Sequence, residues 1–251
     1  MGELVKQIKE GLLGLIYPRL CFGCELPLGE CADYLCETCA QQLLKIRAPY
    51  CEVCGQPYAG AMQMSFECSN CSGRHLNFDF AHAAYQSKGL ARVLVHRFKY
   101  HGHFYLANLL GQMLNEALED ERLSEVGAEG GDDWVLVPVP LHSRRLRERE
   151  YNQAEEMCRV LARLRGLPQV HALRRIRYTR RQAMLDRAER LKNLQGAFVI
   201  STKDRERKKI AGKCVLLVDD VLTTGATASA CAQILFAAGA LKVVVITVVR
   251  G

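Results

Sequence analysis

Two groups of residues in this 251-residue chain can do chemistry by their type and spacing. In the first, LLVDDVLTTGAT at residues 216 to 227, an apolar run is followed by two adjacent carboxylates and a patch of threonine and glycine. A loop of Thr223, Thr224, Gly225, Ala226 and Thr227 that enters a helix offers one phosphate backbone N–H groups, hydroxyls and the positive end of a helix dipole. Asp219 and Asp220 would repel that phosphate; they suit sugar hydroxyls or a hydrated magnesium ion. A ribose 5-phosphate unit, diol at one side and phosphate at the other, satisfies both halves. A strand-to-helix turn merely rich in threonine is the plainer alternative, and it leaves the paired acids without a role.

The second group is cysteine. Nine of the twelve lie between positions 21 and 71, and eight of these form CxxC pairs: Cys21 with Cys24, Cys36 with Cys39, Cys51 with Cys54, and Cys68 with Cys71. Eleven residues separate the first two pairs and thirteen the last two, a spacing that suits two structural four-cysteine zinc sites on short knuckle turns. Gly23 and Gly55 can relax the knuckle backbone. Sequential pairing is the simpler arrangement, and spacing leaves a crossed one open. Cys31 has no CxxC partner. A disulfide framework competes, but it needs an oxidising compartment. The N-terminal MGELVKQIKEGLLGLIYP has no uninterrupted apolar core of the secretory kind, and no stretch is long enough to span a bilayer. A cytoplasmic location is expected, with no integral membrane segment. Leu4, Ile8, Leu12 and Leu15 have helical spacing, and two lysines balanced by two glutamates favour a packed helix over a membrane-surface one.

The elements that must position these groups follow from periodicity. Residues 1–75 form an N-terminal helix and double zinc-ribbon module, too poor in apolar residues to fold without metal, and residues 76–251 form an α/β domain. Strands are predicted at 78–86, 134–140, 196–200, 213–220 and 241–249. Helices are predicted at 89–102, 104–121, 143–165, 182–194 and 226–240. Continuous apolar strands ending in a strand, helix, strand unit imply a twisted parallel sheet with helices on both faces. Ligands of such sheets bind beyond the carboxyl ends of the strands, where 216–227 lies.

LLVDDVLTTGAT resembles the phosphoribosyl pyrophosphate (PRPP) motif of type I phosphoribosyltransferases. The resemblance implies that Asp219 and Asp220 contact the ribose hydroxyls and that Thr223 to Thr227 hold the 5′-phosphate. It also makes PVPLHSRR (138–145) a pyrophosphate loop, with Ser143, Arg144 and Arg145 as donors and Mg²⁺ bridging. Two further stretches, VPVPLHSRRLREREYNQAEEM (137–157) and RYTRRQAMLDRAERLKNLQGAF (177–198), are similar to the ComF (ComFC, GntX-like) competence family, which joins a zinc segment to a phosphoribosyltransferase-like domain. Arg149, Tyr151, Asn152 and Gln153 match its pattern, as do Thr179, Gln182, Leu185, Arg187, Arg190, Asn193, Gly196 and Phe198. Glu150 stands where the family usually has glycine.

Charge is concentrated as well. Residues 144–209 hold 20 Lys and Arg against 8 Asp and Glu, a local +12, while the rest of the chain carries −5. Such a surface attracts phosphates, in PRPP or in a nucleic-acid backbone, though it can also be simply a solvated face. Lys99, beside Arg97 in HRFKYHG, extends the patch; with Gln182, Arg187 and Asn193 it is a candidate flexible-loop or substrate contact. His101 and His103 read as turn or surface residues. The family resemblance implies a role in DNA uptake, with single-stranded DNA, a helicase-like partner and DNA-processing proteins as candidate partners, and a peripheral position at the inner face of the membrane as a variant of the cytoplasmic location. The alternative is an active phosphoribosyltransferase acting on a nucleobase or amine. The residues to hold sugar and leaving group are visible, whereas no nucleobase-reading hood is recognisable.

Overall fold

The computed structural model describes residues 19–29, 32–58, 60, 66–100, 102–127, 133–178, 194 and 196–251. The N-terminal helix, most of the helix expected at 182–194, and Gln182, Arg187 and Asn193 lie outside the described residues.

In chain order, a short helix α1 (Glu37–Ala40) belongs to the cysteine-rich segment, then β1 (Phe80–Gln86), α2 (Gly89–Tyr100), α3 (Ala107–Asn115) and β2 (Trp134–Pro138) follow. Next come α4 (Ser143–Arg149), α5 (Gln153–Arg165), a two-stranded antiparallel hairpin of β3 (Leu173–Arg175) and β4 (Phe198–Ile200), and α6 (Asp204–Lys208). The chain closes with β5 (Cys214–Leu222), α7 (Ala226–Ala237) and β6 (Lys242–Arg250). Four strands form one parallel sheet in the order β1, β6, β5, β2.

Strand alternation decides what covers each face. On β5, Leu216 and Val218 join a core built from α2, α3 and α5, including Leu94, Leu110 and Met157. Val215 and Leu217 join a second core with Cys231 and Leu235 of α7. Both faces are therefore buried, which is why the central strands read as unbroken apolar runs. Gly111 lets α3 and α5 approach closely, since a Cβ there would come within 2.5 Å of Val160.

The cysteine-rich segment covers the free edge of β1. Ile46 donates its N–H to the Ala84 carbonyl and Gln86 donates to Leu44, both at 2.9 Å, and Ala81 donates to Val53 at 2.8 Å. An edge that would otherwise present unpaired backbone groups is thus paired. Cys51, Cys54 and Cys71 share the second core with the sheet.

The antiparallel hairpin partner β3 and the short α6 were not among the expected elements, and three expected elements differ in detail. The continuous helix over 143–165 is two helices, because Glu150 takes a left-handed conformation at φ 69°. The bonds that hold this turn are tertiary: the Tyr151 hydroxyl donates to the Phe98 carbonyl at 2.5 Å and the Asn152 amide to the Val139 carbonyl at 3.1 Å. The helix at 104–121 is α3 with 3-10 turns on either side, Phe104–Leu106 and Glu116–Glu119. Finally, β5 runs on to Leu222, so both aspartates lie inside the strand, with Asp219 in register with Thr247 of β6. Among the described residues no helix is long and apolar enough to cross a membrane.

Candidate functional site

A cavity of about 380 Å³ opens at the carboxyl ends of β5 and β2. Asp219 and Asp220 both line it, Asp220 buried and Asp219 partly open to the cavity. The Asp220 N–H donates to Asp219 Oδ1 at 2.9 Å. Lys99, from the last turn of α2, reaches across to Asp220 with Nζ 2.8 Å from Oδ1. Burial, and then the neighbouring Asp220 carboxylate, push the Asp219 carboxyl up to about 7, against the pull of Lys99 and Arg175. The pair thus holds less than two full negative charges near neutrality.

The threonine loop follows. Gly225 caps α7 at φ 75°, a left-handed conformation that favours glycine, and a Cβ there would press to 3.4 Å from Phe78 Cζ. Thr223, Gly225, Ala226 and Thr227 line the cavity beside the first turn of α7, while Thr224 faces inward on the loop, its hydroxyl 3.4 Å from the Ala226 N–H. Arg74, just past the last cysteine, donates to the Thr224 carbonyl at 3.3 Å and so steadies the loop from outside.

Opposite the loop stand cations. Arg145 lines the cavity from α4, Arg149 from the end of that helix, and Arg175 from β3. Arg149 donates to Gln153 Oε1 at 3.0 Å and lies 5.0 Å over the Tyr100 ring. Arg175 lies 5.2 Å over Phe198, and burial, then the like charge of Arg145, push its guanidinium below its ordinary range. Ser143 and Arg144 do not line this cavity. Ser143 opens α4 beside a neighbouring pocket, and Arg144 pairs with Glu148 and stacks on Tyr178. Sequence reasoning passed over Arg149 and Arg175 as site residues. Arg149 had a signal in its REYNQ setting, whereas Arg175 is one of three arginines in LRRIR and nothing local singles it out.

The cysteines gather in two sets: Cys21, Cys24, Cys36 and Cys39, and Cys51, Cys54, Cys68 and Cys71, with all four sulfurs of each set within 4.8 Å of one another. Pairing is thus sequential. Cys24 Sγ lies 3.8 Å from Cys36 Sγ, and Cys54 Sγ lies 3.5 Å from Cys68 Sγ, close to the roughly 3.8 Å that a tetrahedral zinc with bonds of about 2.3 Å sets between sulfurs. The Gly23 N–H donates to Cys21 Sγ within its knuckle at 3.4 Å, and the N–H groups of Cys36 and Cys68 donate across each set to Cys21 Sγ and Cys51 Sγ, each at 3.3 Å. None of the described cysteines forms a disulfide. The donor sets fit two structural zinc ions. Gly55 has the positive φ expected of a relaxed knuckle, 64°, but Gly23 serves differently: a Cβ there would strike Cys39 Sγ at 2.7 Å.

Comparison with known proteins agrees with this arrangement. Residues 12–72 match the double zinc ribbon domain. Over 230 residues the chain is 30% identical to the DNA utilization protein YhgH of Salmonella typhimurium, covering 91% of this chain and 96% of that one. The chain belongs to the ComF family. Competence protein F of Haemophilus influenzae is 28% identical over 86% of this chain and 90% of its own, and competence protein ComFC of Bacillus subtilis is 26% identical over 82% and 80%. Among solved structures, glutamine PRPP amidotransferase from B. subtilis complexed with ADP and GMP aligns with a TM-score of 0.38 at 20% identity, over 60% of this chain and 30% of that one. In this ComF-family chain the REYNQ segment turns the backbone between α4 and α5 and brings Arg149 to the cavity.

Proposed function

We propose that this ComF-family protein binds PRPP or a related phosphosugar with Mg²⁺ in the cavity at the end of β5, and that it serves in DNA uptake or utilisation, with single-stranded DNA as its macromolecular ligand. One observation carries the phosphosugar reading: a single cavity holds paired carboxylates, a glycine-capped helix start and a facing set of Lys99, Arg145, Arg149 and Arg175. Carboxylates suit the ribose diol or a hydrated magnesium ion, the loop amides suit the 5′-phosphate, and the arginines suit a diphosphate. When bound, Mg²⁺ would be held through its hydration shell by Asp219 and Asp220 and would supply charge withdrawal from a pyrophosphate leaving group.

The test is isothermal titration of the zinc-loaded protein with PRPP and Mg²⁺. Saturable binding is expected, and Asp219→Asn with Asp220→Asn should abolish it while the far-UV spectrum stays unchanged; no binding by the wild-type chain refutes the reading. Because Asp219 titrates at about 7, Mg²⁺-assisted binding should strengthen as pH rises through that value and release protons below it. An active transferase is the alternative, and PRPP-dependent pyrophosphate release over a panel of bases and amines would establish it.

The DNA reading is supported by relatives named for competence and DNA utilization and by a stack on the basic face. There Arg144 lies 4.7 Å over the Tyr178 ring, and His142 meets the same ring edge-on at 5.5 Å. An exposed ring among cations is a platform on which a base can stack. Arg144→Glu and Tyr178→Ala should weaken binding of single strands and reduce its dependence on salt, with PRPP binding retained.

A further inference from the structure

Arg250, at the end of β6, is 4% exposed, a costly place for a guanidinium unless its charge is met. In the register of the sheet it stands opposite Leu222 on one side and Gln86 on the other. Its side chain joins two sites that lie far apart in sequence. Nη2 donates to Cys54 Sγ at 3.3 Å and Nε to the Cys54 carbonyl at 3.0 Å, while Nη1 donates to the Leu222 carbonyl at 3.1 Å and also reaches the Gly251 carbonyl. Cys54 belongs to the second zinc set, and Leu222 is the residue before the Thr223–Thr227 loop.

Electrostatics explains why the guanidinium is there. Four thiolates around one Zn²⁺ leave a net charge of about −2, and three of the second set's cysteines are at most 1% exposed. A buried anion needs a buried cation or donors, and Arg250 supplies both to its sulfur. Other contacts from the segment that leads out of the same ribbon converge on the loop: Arg74 donates to the Thr224 carbonyl, and Gly225 packs on Leu76 and Phe78. The first ribbon makes its contacts elsewhere, with Arg97 of α2 donating to the Phe22 carbonyl at 3.1 Å and Phe22 packing on Tyr105.

We propose that Arg250 is a positioning residue that ties the second zinc site to the phosphate loop, so that this zinc, and not the one in the first ribbon, holds the loop in its ligand-binding shape. The loop's role as a phosphate cradle rests on the function proposed above; the mechanical tie does not.

The experiment uses the full zinc-loaded chain carrying Cys24→Ser, which leaves the second site as the one intact four-cysteine set. Zinc release to a colorimetric chelator and hydrogen exchange at residues 222–227 are followed together. Cys24→Ser alone should leave loop protection at the wild-type level. Adding Arg250→Gln should weaken retention of the remaining zinc roughly 10- to 100-fold, the usual cost of losing an outer hydrogen-bond partner of a metal ligand, and should speed loop exchange; Arg250→Lys should fall between. Unchanged zinc retention in both Arg250 variants, or zinc loss with loop protection intact, overturns the tie, and so does loop opening by Cys24→Ser alone. If Arg250→Gln fails to fold, chelation of the Cys24→Ser protein decides: loop exchange must rise as its zinc leaves, and a loop that stays protected refutes the proposal. Both readouts are made without PRPP, so a wild-type chain that does not bind PRPP would overturn the proposed function and leave this result standing.

Discussion

Lys99→Met removes a cation while keeping most of the aliphatic stem, and its consequence can be worked from the site. The Lys99 and Asp220 side chains are 20% and 9% exposed, with Nζ and Oδ1 2.8 Å apart. Removing one partner of a buried ion pair costs about 3 to 5 kcal/mol when the other is left charged. The site has a way to lessen this. Asp219 already titrates at about 7, raised by burial and by Asp220 and held down in part by Lys99. Without Lys99 the carboxyl pair takes up a proton more readily still.

The sign then follows. A carboxyl whose folded pKa lies above its unfolded value of 3.8 binds a proton in the folded chain that the unfolded chain gives up. Its contribution to stability is present in full below about pH 4 and is lost as pH rises through about 7. In Lys99→Met the folded value moves higher, so near pH 6 the pair is largely single-charged and the variant loses little. As pH rises the pair is driven to give up that proton, and the loss should grow to about 2 kcal/mol near pH 8.5, on the way to the roughly 3 kcal/mol of the fully charged pair. Urea unfolding of zinc-loaded protein at the two pH values measures the difference, with the acid limit set where thiolates still hold metal. An equal loss at both values would mean that Lys99 contributes packing and not charge, and the account of the paired acids would fail with it.

Glu150→Gly should stabilise the chain by about 1 kcal/mol, because a side chain at φ 69° costs that much in the left-handed region and glycine does not; chemical denaturation reads it. Asp120→Asn should destabilise by about 3 kcal/mol near neutrality, since Asp120 is buried, accepts from Tyr50 at 2.8 Å and binds Arg122 at 2.7 Å and 2.9 Å. Burial works to raise that carboxyl, but the Arg122 and Tyr50 bonds outweigh it and hold it at about 2, so its contribution is present above about pH 4 and is lost as pH falls through 2. Metal analysis of protein purified under reducing conditions should give about two zinc per chain, and Cys51→Ser should remove one of them.

Much of this was legible in the sequence wherever a local rule is enforced by chemistry. Four CxxC pairs at such spacings point to two metal sites, whereas spacing left sequential and crossed pairing both open and only the gathered sulfurs decide for the sequential one. The strand before Asp219 and the loop after it were visible because a doubly covered strand must be apolar throughout and a tight turn that caps a helix at a left-handed position favours glycine and small residues. The break at Glu150 was hidden because its cause lies in bonds to Phe98 and Val139, far along the chain. β3 was hidden because Leu173–Arg175 has only three residues, two of them charged, and no alternation to read. Arg250 gave no signal at all: a lone arginine ending an apolar strand reads as an exposed terminus, and only the fold places a zinc thiolate beside it.

The charge of the cavity argues for the kind of ligand it takes. Lys99, Arg145, Arg149 and Arg175 line it against two carboxylates, one of which titrates at about 7, so the site is net positive even before a metal enters. A lone sugar phosphate would engage the α7 start and the acids, and would bring no second anion to Arg145, Arg149 and Arg175, which line the same cavity. A ligand with a second anionic end on the other side of its sugar uses both walls at once, and its diol sits between them against the carboxylates. That geometry favours a diphosphate over a monophosphate, and it makes a direct comparison possible: ribose 5-phosphate should bind more weakly than PRPP, and Arg175→Gln should erase most of that difference while leaving ribose 5-phosphate affinity nearly unchanged. If the two ligands bind alike in the wild-type chain, the arginine wall serves something other than the diphosphate.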